Sequence, residues 1–206
     1  MVIDQIEDHL STHHLHEPLQ LAYTPNHSTE TALVKVTNDI LCALDNRQCV
    51  YLVLRDLSAA FDTIDHSVFL SRLEDYGVTG SVAEWMKSYL SGRHQMIDIN
   101  GIQSDKIKLH YGFPQGSKIG PFSFKLYTKD LTSTAKPHNI QIHLYADNTQ
   151  FYCSFPPSES HLAMKRMEAC VAEIRWWMND NFLKLNDAKT EFIIFGIQHD
   201  VKRVTE

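Results

Sequence analysis

The 206-residue chain suits one domain, or one domain with a small lobe, and leaves room for a real core. Its apolar fraction of 43% and charged fraction of 21% are ordinary for a globular protein, and it has no internal repeat or low-complexity segment. A net charge of -6 counts against a simple grip on phosphate backbones, since from Met1 to Asn46 the only Lys or Arg is Lys35.

In chain order, Ile3, Ile6 and Leu10 predict a short amphipathic helix over residues 3–14. Pro18 and Pro25 bracket an extended loop. Ser28 can cap a helix running to about Leu44, with Ala32, Leu33, Val36, Ile40 and Leu44 on its apolar face. The unbroken apolar run from Cys49 to Leu54 reads as a buried strand. Asp65 can cap the next helix, through Val68, Leu70 and Leu73 to Gly77. Another follows Thr79-Gly80 and stops at Gly92. Residues 96–109 read as a β-hairpin around an Asn100-Gly101 turn. Pro121 suits the first turn of a helix reaching about Thr132. Ile140–Tyr145 and Thr149–Ser154 form two strands about a turn at Asp147-Asn148. A helix that follows Pro156-Pro157 and reaches about Asn181, and a strand over Glu191–Phe195, complete the pattern. The order is that of an α+β fold.

Cys42, Cys49, Cys153 and Cys170 have no metal-ligand spacing and read as reduced thiols of an intracellular protein. The N-terminus lacks the pattern of a signal peptide, and no apolar run approaches the roughly 20 residues needed to cross a bilayer. We expect no membrane association, with nucleus or cytoplasm left open. His13 and His16 share a helix face, but no further zinc ligand is evident. Asp65-His66-Ser67 cannot form a hydrolase relay, because neighbours in sequence cannot face one another in that order.

Three segments carry the chemistry: Leu54-Arg55-Asp56-Leu57-Ser58-Ala59-Ala60-Phe61-Asp62, Tyr111-Gly112-Phe113-Pro114-Gln115-Gly116-Ser117, and Tyr145-Ala146-Asp147-Asn148. Asp56 ends a buried strand and Asp147 sits in a tight turn, so antiparallel neighbouring strands would bring both carboxylates to one sheet edge. Each alone is most simply a cap or a turn residue. In this order the three segments resemble motifs A, B and C of a reverse transcriptase palm, most closely that of non-LTR (LINE-type) retrotransposons. His27–Leu33, Ser88–Arg93 and Leu185–Phe192 match the same pattern in order.

The resemblance implies an antiparallel palm sheet with helices on one face over residues 49–206, a partial fingers lobe over 1–48, and no thumb. It implies RNA-directed DNA polymerase chemistry, in which two divalent ions support nucleotidyl transfer. Asp56 and Asp147 would be the metal ligands, for Mg²⁺ or in its place Mn²⁺. Phe61 would be the steric gate against a ribose 2′-hydroxyl, although it also reads as a core aromatic. Gln115 and Gly116 would lie under the template–nucleotide pair, and Lys189 would protonate pyrophosphate, although it reads equally as a surface lysine. The implied partners are an RNA template, a DNA primer and deoxynucleoside triphosphates.

The chain departs from the family pattern at several points. Asn148 stands where the family has a second Asp, which keeps an oxygen but removes a charge. Thr24 replaces a basic residue near the triphosphate. Arg55 replaces an apolar residue and, by alternation, points away from the Asp56 side towards packed helices. Lys118 and Lys125 occupy positions the family fills with apolar residues. The chain begins within the fingers and stops before a thumb. These departures predict a catalytically impaired domain. The alternative is a non-catalytic module retaining the fold, and the acidic surface favours a protein partner over RNA.

Overall fold

The apolar run after Gln48 forms the centre of a four-stranded sheet in the computed structural model, which describes residues 2–58, 61–114 and 116–205. The elements are α1 (Val2–Thr12), α2 (Thr29–Asp45), β1 (Cys49–Arg55), β2 (Leu57–Ser58), α3 (His66–Asp75), α4 (Gly80–Leu90), β3 (His94–Gln95), β4 (Asp98–Ile99), β5 (Ile102–Gln103) and β6 (Ile107–Lys108). They continue as α5 (Ile119–Tyr127), α6 (Leu131–Ala135), β7 (Gln141–Tyr145), β8 (Asn148–Phe155), α7 (Ser160–Asp180), β9 (Lys184–Leu185), β10 (Glu191–Phe195) and α8 (Gln198–Thr205). The α+β class and the antiparallel sheets agree with the sequence pattern. The chain divides into two compact units, Met1–His16 with Ala59–Tyr127, and Glu17–Ser58 with Thr128–Glu206.

The second unit holds the large sheet, in the order β10-β1-β8-β7, all neighbours antiparallel. Side chains alternate across it. Val50, Leu52 and Tyr152 share one face, which Val36, Ile40 and Ala43 of α2 close. Tyr51, Phe151 and Phe155 are buried on the other, where α7 packs on β8 with Cys170 beside Cys153. The sheet therefore carries helices on both faces, rather than the single face expected. The five consecutive buried residues Cys49–Val53 are the physical reason, since a strand apolar on both sides needs two covers. Ser28 caps α2 in a reciprocal capping box with Thr31. Leu33, expected on the apolar face, is 55% exposed, and Ala43 takes the inner position.

In the first unit, the Asp65 carboxylate accepts from the Ser67 and Val68 amides at 2.8 and 3.0 Å and caps α3, as its sequence position suggests. Phe69 and Leu73 of α3 are fully buried. Asn100 and Gly101 both have positive φ (54° and 85°), the type I′ combination that a two-residue hairpin requires. The hairpin forms two short ladders, β3 with β6 and β4 with β5. The helix begun at Ile119 ends at Tyr127 rather than Thr132. The hydrogen-bonded turn Thr128–Leu131 interrupts it before α6, at the residues Thr and Asp that compete locally with helix bonds. Helix α8 carries no equivalent in the sequence reading.

Candidate active site

Asp56 leaves β1 at a fixed point. Its carbonyl accepts from the Asn186 amide at 2.9 Å, and the next residue, Leu57, pairs with Leu185 in the β2–β9 ladder. Asp147 comes from the β7–β8 hairpin, which Tyr145 and Asn148 close as a pair. The turn is therefore Ala146-Asp147, one residue earlier than the Asp147-Asn148 turn expected, and Asn148 opens β8 as an exposed strand residue. Because β1 and β8 are neighbours, with Arg55 opposite Thr149, the two acids meet at one end of the sheet.

Their charges interact. The Asp147 carboxyl is raised above its ordinary value, first by burial and further by the charge of Asp56 and a hydrogen-bond contact with it. Its own backbone amide and Lys189 act in the opposite direction. Lys189 lies in the turn Asp187–Lys189 before β10 and donates to Asp56 Oδ2 at 2.7 Å. The ammonium is held above its ordinary value by that hydrogen bond and by the Asp56 charge. Lys189 is thus both open to solvent, at 67% side-chain exposure, and directed at the acidic pair. Asp56, Asn148, Gln150 and Lys189 line one open cleft of about 510 Å³.

The turn carrying Lys189 is tied down behind the cleft. Asp187 takes a two-point contact from Arg175 of α7, at 2.9 and 3.2 Å. Arg55 reaches the same carboxylate at 3.5 Å with only 10% of its side chain exposed. As alternation predicts, it points to the α7 side. Burial first, then Arg175, lowers its basicity, and Asp187 offsets part of this.

One contributor, Gln20, has no local signal in the sequence. Gln20, 2% exposed, receives the Ala146 amide on Oε1 at 3.1 Å and donates from Nε2 to the Ala146 carbonyl at 3.3 Å. Ala146 has φ of 54°, a left-handed conformation that costs a non-glycine residue roughly 1–3 kcal/mol unless its surroundings hold it. Thr24 gives its hydroxyl to the Gln20 and Ala22 carbonyls at 3.3 and 3.4 Å.

Asp56, Asp147, Asn148 and Lys189 are thus brought together in one unit. Phe61 and Gly116 line a separate cavity of about 540 Å³ in the other, with Lys118 and Phe113. There the Phe61 ring packs on buried Phe124, centroids 4.9 Å apart, as a core aromatic does. Gln115 lies outside the described residues. Burial lowers the basicity of Lys125 in α5, and Glu7 counters it.

A family model for reverse transcriptase (RNA-dependent DNA polymerase) matches residues 1–204. The chain belongs to the reverse transcriptase family. It is 26% identical over 202 residues to the probable RNA-directed DNA polymerase from transposon BS of Drosophila melanogaster, covering 92% of this chain and 21% of that protein. It is 25% identical over 183 residues to the RNA-directed DNA polymerase from mobile element jockey of the same fly, covering 86% of this chain and 20% of that protein. The chain spans about a fifth of the length of these curated relatives. Among solved structures, telomerase from Candida tropicalis in complex with a TWJ fragment of telomeric RNA superposes with TM-score 0.68 at 12% identity, over 96% of this chain and 34% of that one. The apo form of that telomerase gives 0.68 at 13%, over 96% and 37%. At such identities the likeness shows the reverse transcriptase fold and no more.

Among the described residues no group of three or more His, Cys, Asp or Glu side chains is placed to hold a metal. Asp56 and Asp147 are the two carboxylates that meet at this end of the sheet, and the neighbouring Asn148 is neutral. Among the described residues no helix is long and apolar enough to cross a membrane.

The strained acid pair has a measurable consequence. A carboxyl raised in the folded protein opposes folding when ionised. The penalty is complete above the raised value and absent below the ordinary value of the unfolded chain. Asp147→Asn is therefore expected to raise the unfolding midpoint at pH 7 by a few degrees, with the gain fading as pH falls towards 4. Thermal unfolding of both proteins across this range checks it, and equal midpoints at pH 7 would contradict it.

Proposed function

We propose that this chain is the core of an RNA-directed DNA polymerase whose Asp56 and Asp147 carboxylates hold a divalent cation, and that Asn148 leaves it catalytically impaired. The observation that carries the reading is the convergence of Asp56 and Asp147 from adjacent strands, with repulsion that a cation would relieve. Carboxylate oxygens are the hard donors that Mg²⁺ or Mn²⁺ prefers, so the pair fits such an ion. A third carboxylate would hold the cations more strongly than the pair alone, and Asn148 supplies no charge there.

When bound, such ions lower the pKa of the attacking hydroxyl and offset the charge of the phosphates. The chain's own residues then have separate tasks. Asp56 and Asp147 would supply carboxylate oxygens as the cation's ligands. Lys189 is solvent-exposed though now paired with Asp56; on leaving that carboxylate its ammonium would turn to the departing pyrophosphate and give it a proton. In this reading residues 49–206 form the palm and residues 1–48 part of the fingers. Phe61 is the gate against ribose, and Gln115 and Gly116 underlie the template–nucleotide pair. RNA template, DNA primer and deoxynucleoside triphosphates are the substrates.

Primer extension on an RNA template tests the reading. The native chain is expected to extend at background level and Asn148→Asp measurably above it. Extension by the native chain at the rate of the Asn148→Asp variant would overturn the impairment.

A further inference from the structure

We propose that Gln20 is a positioning residue for the Asp147 carboxylate, which it serves by clamping the Ala146–Asp147 turn. The inference rests on the reading of Asp56 and Asp147 as a cation-holding pair. It concerns a residue 126 positions upstream of the turn it touches.

The geometry is that of a two-sided clamp. Oε1 of Gln20 accepts from the Ala146 amide at 3.1 Å and from the Ala22 amide at 3.2 Å, which uses both of its lone pairs. Nε2 donates to the Ala146 carbonyl at 3.3 Å. One side chain thus fixes both peptide groups flanking the Ala146 α-carbon. The Gln20 backbone is fixed in turn. Gln20 pairs in parallel with Leu144, Leu21 donates to the Leu144 carbonyl at 3.1 Å, and Leu144 donates to the Leu19 carbonyl at 2.9 Å. At 2% exposure, water does not compete for these bonds.

The turn needs such a hold. Ala146 sits at φ of 54° without being glycine, so its torsions relax towards ordinary values once the clamp is gone. Asp147 is the next residue, and the direction of its side chain follows the Ala146 ψ. A carboxylate that must meet Asp56 at one cation tolerates little rotation, because outer-shell partners orient the ligands they support.

The test uses the full chain, ¹⁵N-labelled, with Mn²⁺ as the probe. In the native protein the Ala146 amide is expected to exchange with solvent at least about 10-fold more slowly than an open turn amide. Rapid exchange there would overturn the clamp without any variant. Gln20→Met keeps the volume and removes every polar bond. It is expected to release the Ala146 amide and weaken Mn²⁺ binding about 10-fold, while β1 and β10 amides stay protected. Gln20→Glu keeps the acceptor for the Ala146 amide but loses the donor to its carbonyl, and is expected to leave protection at Ala146 between that of Gln20→Met and that of the native chain. Unchanged exchange and Mn²⁺ affinity in Gln20→Met, or loss of protection spread evenly over the sheet, would refute the proposal. If the native chain binds no Mn²⁺ at Asp56 and Asp147, the cation reading fails, and Ala146 exchange still decides the clamp.

Discussion

Asn148→Asp is expected to raise primer extension on an RNA template by ~10²-fold or more over the native chain. The gain is electrostatic. Asn148 lines the same cleft as Asp56 and Lys189, so a carboxylate there adds its charge where the cation and the triphosphate would gather. Losing one charge aimed at the place where charge develops costs several kcal/mol of transition-state stabilisation. The substitution is nearly isosteric and falls on an exposed strand position, so folding is not at stake. Combining Asp147→Ala with Asn148→Asp in one chain is expected to abolish the gain. Extension that survives this second change would mean that the reacting phosphate is handled elsewhere.

Phe151→Ala is expected to cost about 3–5 kcal/mol of stability. Phe151 is fully buried at the middle of β8, opposite Val53 of β1 and Ile142 of β7, so its ring joins the three strands that present the two acids. Domains of this size have only about 5–15 kcal/mol in total, so the variant would sit close to its unfolding threshold. Urea unfolding should show the midpoint falling by about 1–3 M. A loss below about 1 kcal/mol would show that α7 does not close over this face as described.

Much of this was legible in the chain because its signals are local. The run Cys49–Leu54 announces a buried strand, Asp65 a helix cap, and Asn100-Gly101 a hairpin, since each depends on side chains within a few residues. The convergence of Asp56 and Asp147 followed from two strands and one pairing assumption. What was not legible depends on distant partners. Leu33 and Ala43 exchange roles on α2 because the helix meets the sheet at an angle that periodicity does not contain. The helices on both faces follow from burial that a continuous apolar run suggests but does not assign. The turn lies at Ala146-Asp147, not one residue later, because Gln20 holds Ala146 in a conformation alanine seldom adopts. Nothing near Gln20 in the sequence marks it, apart from a polar residue in the apolar stretch Leu19–Ala22. Lys189 read equally well as a surface lysine, and only the 2.7 Å contact with Asp56 distinguishes it.

Divalent-cation binding decides whether Asp56 and Asp147 form a metal site. Mn²⁺ titrated into the native chain, Asp56→Ala and Asp147→Ala, and followed by paramagnetic broadening of backbone amides, should broaden Ala146–Asn148 and the residues around Asp56 first in the native chain. Each alanine variant should weaken that effect by about 10-fold or more. Broadening centred elsewhere, or unchanged by both substitutions, would contradict the assignment of Asp56 and Asp147 as the cation-holding pair.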